Sequence, residues 1–423
     1  MALSLPLDGI RGLFRRPSSG AYAALDIGTE YAKALIFTVE DGVGTVRGSG
    51  RHRQTQTAMQ DGLITDIEAV VQHCHAALQQ AEEMAGMIGK QAIVGLAGEL
   101  VKGMSTTETM EREHPTEKLG LEEIEEVMER VQRLALSRVT ERLTWEMGLP
   151  SVDVRLVNSA VVSMKIDGHL ISNPLGFQGR YLEVTVFNAF APLIHVGASE
   201  TIARHLSLDL LSVIAEPYAV ASCLNTPLAV DQGGIFIDVG GGTTDVGLVR
   251  NGGIEGTLSF ALGGRAFTRR LATEQQIDLE EAEALKLKYA RKELTPSIAR
   301  EVRKALDRDV STWMDGVQLI LEELAGEGQL PPYVYLCGGA SALPDIIERL
   351  KAFPWTERLP CPRPAQVTVL KPADVQSMRD VSGGLVDQQD VTPLGLAFQA
   401  LAIQRQSSLI SQALVRAVRI LKL

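Results

Sequence analysis

The chain has little of what marks a secreted or membrane-spanning protein. Its four cysteines, Cys74, Cys223, Cys337 and Cys361, stand far apart with no C-x-x-C pair. They suit a reducing cytoplasm and indicate neither a disulfide framework nor a zinc site. No apolar run approaches the roughly 20 residues of a membrane-spanning helix. The start, Met1 to Arg11, lacks the basic-then-apolar order and small-residue cleavage site of a secretory signal. Basic residues are also outnumbered: 41 Lys and Arg against 52 Asp and Glu give a formal net charge of −11, which argues against nucleic-acid binding by the body of the protein. The expectation is a cytoplasmic protein, or one peripheral on a membrane face turned to the cytoplasm. At 423 residues it is long enough for two or more domains with substantial cores.

What the chain does have is a strand running into glycines and hydroxyls. Residues 235–245 read Ile-Phe-Ile-Asp-Val-Gly-Gly-Gly-Thr-Thr-Asp. Gly240, Gly241 and Gly242 let backbone N–H groups close around phosphate oxygens, and Thr243 and Thr244 can add hydroxyl donors. Asp238 would repel a bare phosphate, so the reading needs a divalent cation such as Mg2+ between them, held partly through water. Taken alone the run is equally an ordinary glycine loop. A shorter version lies at 23–38, where Asp26 matches Asp238 and Gly28-Thr29 matches the Gly240–Thr243 turn. Two such units suggest related half-domains that each lend one phosphate loop to a shared cleft; two unrelated hairpins are the plainer alternative. Lys33, among alternating apolar neighbours, reads as a solvated strand residue.

Between these units the pattern is mixed. Asp61 to Asp66 leads into a helix over roughly 66–87, with Ile67, Val70, Val71, Cys74, Ala77 and Leu78 on one face. A strand is expected at about 91–97. Residues 98–192 read as a compact α+β insert: a polar loop, a helix from about Glu122 to Glu146, then strands around Val152–Val157, Val161–Ile166 and Tyr181–Ala189. A helix near Glu200–Leu206 and the strand Leu211–Ala215 resume the main sheet. Phe267 to Glu323 is strongly helical, with Pro296 the natural break. Tyr333–Cys337 is a buried strand entering Gly338-Gly339-Ala340-Ser341, Pro354–Thr392 is irregular, and a helix starts near Thr392.

The motifs Asp26-Ile-Gly-Thr, Asp238-Val-Gly-Gly-Gly-Thr-Thr-Asp and Cys337-Gly-Gly-Ala-Ser together resemble the two phosphate motifs and the adenosine motif of the actin-like ATPase superfamily. Asp167-Gly-His-Leu-Ile-Ser-Asn-Pro-Leu-Gly-Phe-Gln-Gly, Leu262-Gly-Gly-Arg-Ala-Phe-Thr and Ala282-Glu-Ala-Leu-Lys286 further resemble the bacterial division family FtsA. The resemblance implies an α/β, actin-like (ribonuclease H-like) two-domain ATPase fold with an FtsA-type inserted α+β subdomain. It divides the chain into a lead-in at 1–20, a first half-domain at 21–97 and 193–230 interrupted by the insert at 98–192, and a second half-domain at 231–270 and 331–391. A reduced helical small lobe occupies 271–330, a closing helix 392–406 and a tail 407–423.

The resemblance also implies ATP and Mg2+ as cofactors. Asp26 and Asp238 would hold the metal through water, and Gly28, Thr29, Gly240, Gly241, Gly242, Thr243 and Thr244 would wrap the phosphates. Glu216, in Ala-Glu-Pro-Tyr-Ala-Val-Ala, would orient an attacking water beside Asp238 as the catalytic pair; as bare sequence it is a helix-start acid. Gly264, Glu283 and Lys286 would reach the ribose side, and Gly338, Gly339 and Ala340 would floor the adenine. Glu283 and Lys286 are equally spaced for a plain ion pair. Arg269-Arg270 departs from the family, which carries an Asp there, and changes the charge near the cleft or a partner surface.

Residues 407–423 form an amphipathic tail with three basic residues and no acid. Leu409, Ile410, Leu414, Val418 and Leu421 with Arg416, Arg419 and Lys422 are the expected contacts to an anionic membrane; a helix packed on the body is the alternative. The resulting expectation is an ATP-binding cytoskeletal protein that anchors an FtsZ-like division filament to the membrane and meets copies of itself head to tail, with slow ATP hydrolysis at most. A PilM-like scaffold for type IV pilus assembly is the rival. A chaperone or sugar kinase on the same fold lacks, respectively, a substrate domain and a polar acceptor site.

Overall fold

The computed structural model describes residues 20–224, 233–405 and 409–420, so the apolar and arginine-bearing lead-in Leu7–Arg16 lies outside them. Apolar runs bounded by Gly and Asp turns produce the first sheet. Strands β1 (Ala21–Ile27), β2 (Tyr31–Glu40) and β3 (Val43–Arg53) form an antiparallel meander. The short hairpin β4 (Met59–Gln60) and β5 (Leu63–Ile64) follows. Helix α1 (Ile67–Ala85) starts where the Asp66 carboxylate accepts the Ala69 N–H at 3.0 Å, and ends at Gly86 with φ +64°. Its buried stripe, Val70, Cys74, Ala77, Leu78 and Ala81, packs on the sheet. Strand β6 (Gln91–Leu96) then pairs parallel with β1.

Residues 98–192 contain β7 (Lys102–Glu111), α2 (Leu121–Met147), β8 (Val154–Ile166), β9 (His169–Leu170) and β10 (Tyr181–Pro192). Two expectations are corrected here. The polar loop contains a ten-residue strand, β7, whose Thr-rich sequence suits a pleated surface once β10 pairs along its whole length. The two strands expected at 152–166 are one, β8: its polar middle, Asn158 and Ser159, pairs with Ala189 and Asn188, and register shifts that skip Val157 and Val162 keep the strand continuous on either side.

The chain returns through α3 (Leu193–His205), β11 (Asp209–Ala215) and α4 (Glu216–Cys223). Asn158 on β8 ties the returning chain to the segment 98–192 by accepting the Ala215 N–H at 2.7 Å. A second meander follows: β12 (Gly234–Val239), β13 (Thr244–Arg250) and β14 (Gly253–Phe260). Helices α5 (Gly264–Gln275), α6 (Leu279–Ala290) and α7 (Pro296–Ala325) come next, with Pro296 in the first turn of α7, where its missing N–H costs nothing. Strand β15 (Tyr333–Cys337), helix α8 (Pro344–Ala352), β16 (Gln366–Val369), β17 (Met378–Asp380), and helices α9 (Val391–Arg405) and α10 (Leu409–Ile420) complete the described chain.

The two sheets are copies in topology. One runs β11-β6-β1-β2-β3, extended by β17; the other runs β16-β15-β12-β13-β14. Each is a meander whose first strand takes a parallel neighbour on its free edge, the duplication expected of an actin-like fold. The second sheet does not stop at β14. It continues into β7-β10-β8-β9, because β7 pairs with β14 at Gly256↔Met104 and Thr257↔Gly103. Gly103 permits that approach, since a Cβ there would lie 2.1 Å from Thr257 Oγ1. The segment expected to stand as a compact insert thus shares a nine-stranded sheet with the second half.

Candidate functional site

The carboxyl-side ends of β1 and β12 face one cleft between the duplicated sheets. Asp26, near the end of β1, and Asp238, near the end of β12, are both buried and both line it. The two turns that follow are in contact. A Cβ on Gly241 would come within 2.9 Å of Glu30 Cβ, and one on Gly242 within 2.8 Å of Thr29 Oγ1. The Gly240 N–H donates to the Thr243 carbonyl at 2.9 Å and closes the second turn. Gly28, Thr29, Gly240, Gly241 and Thr243 line the cleft from these turns, whereas Gly242 is turned onto the Thr29 side chain. On the far wall Gly338, Gly339 and Ala340 line it from the loop after β15. Gly338 has φ +87°, and a Cβ there would lie 2.0 Å from Asp238 Oδ1.

Asp245 and Glu216 line the same space as Asp26 and Asp238. Glu216 is the first residue of α4, so the helix-start reading and the cleft reading both hold. It is only 7% exposed, and its Oε1 has no hydrogen-bond partner. Burial, then the charges of Asp26, Asp245 and Asp238, push its carboxyl well above the usual range. Burial also raises Asp238, against the hydrogen bond it accepts from Thr392 and the charge of Lys33. Asp245 is pushed up to about 7 by burial and by Asp238, although it accepts hydrogen bonds from Ser259 and Thr243.

Lys33 is not a solvated strand residue. Its side chain is 16% exposed, with Nζ 3.1 Å from Asp26 Oδ2 and donating to the Gln389 carbonyl at 2.8 Å. Burial alone would lower its pKa, but Asp26 and Asp238 leave it raised and charged. The signal that finds it is its pairing position directly across the hairpin from Asp26. Asp245, opposite Asp238 in the second hairpin, is found the same way.

Thr244 is a correction in the other direction. It is fully buried on the face of β13 turned away from the cleft, where its Oγ1 donates to the Leu262 carbonyl at 2.7 Å and accepts the Trp313 indole N–H at 2.9 Å. Strand alternation explains this: Thr243 and Thr244 point to opposite faces, and only Thr243 reaches the cleft. Glu283 and Lys286 line the outer wall as a mutually bonded pair at 2.7 Å, with Lys286 buried and Glu283 half-buried. Lys286 Nζ also donates to Thr268 Oγ1 at 2.8 Å and to the carbonyl of Gly264, itself part of the wall, at 3.0 Å. Arg270 points to α7 and makes a bidentate contact with Asp309 at 2.8 and 3.0 Å, so it changes no charge in the cleft.

Residues 235–392 match the family model "Cell division protein FtsA". The Cell division protein FtsA of Pseudomonas aeruginosa is 27% identical over 348 residues, covering 77% of this chain and 78% of that one. Its namesake from Bacillus subtilis is 24% identical over 353 residues, covering 77% of this chain and 75% of that one. By sequence this chain is similar to the FtsA cell-division proteins. Among solved structures, a chain of the "PilM-PilN type IV pilus biogenesis complex" superposes with a TM-score of 0.64 at 17% identity, covering 91% of this chain and 99% of that one. At that identity the likeness is one of fold.

In this FtsA-like chain the tail helix lies on the body. Ala413, Leu414, Ala417 and Val418 of α10 are buried in one apolar cluster with α2 residues such as Val131 and Ala135. Arg416 pairs with Glu125 of α2 at 2.8 Å. Leu414 and Val418, expected on a lipid-facing surface, are therefore covered in this packing, because α2 offers the same apolar stripe a bilayer would. Ile410 is half-buried, and Leu409 is exposed at 53%. Leu421 and Lys422, and the side chain of Arg419, lie outside the described residues. No described helix is long and apolar enough to cross a membrane.

Proposed function

We propose that this FtsA-like cell-division protein binds Mg-ATP in the cleft between its duplicated sheets and uses it as a conformational switch. The observation that carries the reading is the facing pair Asp26 and Asp238, at equivalent ends of two duplicated strands, with glycine turns in contact beside them. The donor set fits the cofactor. Beside the Glu30–Arg265 and Glu283–Lys286 pairs, the cleft holds the carboxyl groups of Asp26, Asp238, Asp245 and Glu216 against one further ammonium, Lys33; a divalent cation would favour their charged forms, and Glu216, whose buried Oε1 has no partner, lines the same space. Among the described residues no three His, Cys, Asp or Glu side chains converge to hold an ion by themselves. Asp26 and Asp238 would thus hold the metal through water, and the phosphates would complete the shell. The backbone of Gly28, Thr29, Gly240 and Gly241 would bind phosphate oxygens, Lys33 would supply positive charge to them, and Gly338–Ala340 would lie under the base.

Mg-ATP, when bound, would offset the negative charge between the two turns, and Glu216 would orient water during slow hydrolysis. Cleft closure would reorient the two sheets and the surfaces that meet an adjoining copy, so that head-to-tail contacts extend into filaments. The basic tail, released from α2, would hold the chain against an anionic bilayer while an FtsZ-like filament protein binds elsewhere. The pilus-scaffold reading rests on likeness of fold alone. Titration of the full chain with a fluorescent ATP analogue, with and without Mg2+, tests the proposal: saturable, Mg2+-dependent binding abolished by Asp26→Ala supports it, and equal signals from both proteins would reject it.

A further inference from the structure

Arg265 belongs by chain to the second half of the molecule, yet its side chain is bonded to the first. Its backbone N–H donates to the Gly241 carbonyl at 2.8 Å, which fixes it on the second glycine turn. From there Nε donates to Glu30 Oε2 at 2.8 Å, and the two terminal nitrogens donate to the carbonyls of Thr29 at 2.6 Å and Met59 at 3.0 Å. Glu30 is steadied from behind by Arg53 Nε at 2.8 Å. One residue therefore bonds to both phosphate turns and to the β4 strand beside them. Its side chain is 15% exposed, so these charge-assisted bonds are only partly screened. Packing leaves no slack around it, given the contacts of Gly241 with Glu30 and of Gly242 with Thr29.

We propose that Arg265 is a clasp that keeps the phosphate end of the cleft shut, with or without ligand, and so sets how fast nucleotide enters and leaves. The inference rests on the nucleotide reading above. A planar guanidinium is needed because three acceptors in three directions must be served at once, which a lysine ammonium on a single stem cannot do from the same position. Arg265 acts here by positioning the two turns, and this separates it from a direct phosphate ligand. Loss of a phosphate contact accelerates release alone and weakens affinity to match. Loss of a clasp accelerates association and release together and leaves affinity nearly unchanged.

The test is stopped-flow mixing of the full chain with a fluorescent ATP analogue and Mg2+, for the wild type, Arg265→Ala, Arg265→Lys, Glu30→Gln and the Arg265→Ala/Glu30→Gln double variant. Three lost hydrogen bonds predict association and release both faster by about tenfold or more in Arg265→Ala, with Kd moving by less than about threefold. Arg265→Lys should fall between, and the double variant should be no faster than Arg265→Ala, since both changes break one link. Amide exchange at residues 27–31 and 240–243 of the ligand-free proteins should rise with the rates. Unchanged rates and exchange in folded Arg265→Ala overturn the clasp, as does faster release without faster association. Should Arg265→Ala fail to fold, Glu30→Gln carries the same test. If the wild type binds no nucleotide, the nucleotide reading fails, and ligand-free exchange alone decides the clasp.

Discussion

Lys33 stands directly across the first hairpin from Asp26, with Nζ 3.1 Å from Oδ2, at the position where the second hairpin places Asp245 across from Asp238. The duplicated hairpins are therefore opposite in charge at matching sites. One offers an acid and a base, and the other offers two acids. A phosphate chain with its cation would meet opposite charge with its oxygens toward Lys33 and its cation toward the carboxylates.

Lys33→Met keeps the length of the side chain and removes its charge. A charge-assisted contact is worth about 1.5–3 kcal/mol, so ATP affinity should fall by roughly 10- to 150-fold. Calorimetric titration reads this directly, and an unchanged Kd would return Lys33 to a purely structural pairing with Asp26.

The pair Thr243→Val and Thr244→Val separates cleft from core. Thr244→Val strands the Trp313 indole N–H, so it should lower stability by about 1–3 kcal/mol and leave nucleotide affinity intact. Thr243→Val should weaken nucleotide affinity, alongside the stability lost with its hydrogen bond to buried Asp245. Chemical denaturation and titration of the same samples give both numbers.

Gly338→Ala combines a left-handed backbone with a Cβ driven onto Asp238 Oδ1. A cost of about 1–3 kcal/mol in stability is expected, together with weaker Mg2+-dependent binding as Asp238 is displaced. A variant that melts like the wild type would show that the loop relaxes freely.

For an acid whose folded pKa lies above its unfolded value, stability is fully present below the unfolded pKa and is lost as pH rises through the folded one. Asp245, moved from 3.8 to about 7, therefore makes the ligand-free protein less stable as pH climbs between those values, and Glu216 adds to the same slope. Asp245→Asn should flatten that slope and raise the melting temperature at pH 8. Melting curves at pH 5 and pH 8 check it.

Removal of residues 407–423 uncovers the α2 stripe that Leu414 and Val418 occupy. Burial of such side chains contributes about 1.5–3 kcal/mol each, so the truncated protein should lose several degrees of thermal stability and bind a hydrophobic dye. Flotation on anionic liposomes should also fall. Equal flotation of both proteins would end the tether reading, and equal melting would end the docked one.

Much of this was legible in the sequence wherever chemistry is carried by adjacent residues. The glycine turns, Asp26, Asp238, the Gly338 loop and the break at Pro296 are local signals. Lys33 and Asp245 were hidden because their role depends on which residue a hairpin sets opposite them, and Arg265 because its partners lie 206 to 236 positions away. Thr244 was misread because a run of two hydroxyls looks uniform until a strand turns them to opposite faces. The tail illustrates a different limit. An amphipathic stripe specifies an apolar surface without naming it, and α2 and a bilayer satisfy it equally.

The rungs Gly256↔Met104 and Thr257↔Gly103 carry a mechanical consequence. By chain order, residues 98–192 interrupt the first half of the molecule, but those rungs splice them to the sheet of the second. Any rotation of one half against the other must either carry this segment along as a lever or shear that seam. Connectivity and moving body thus need not coincide, and a bulky residue at Gly103 would uncouple them without touching the cleft.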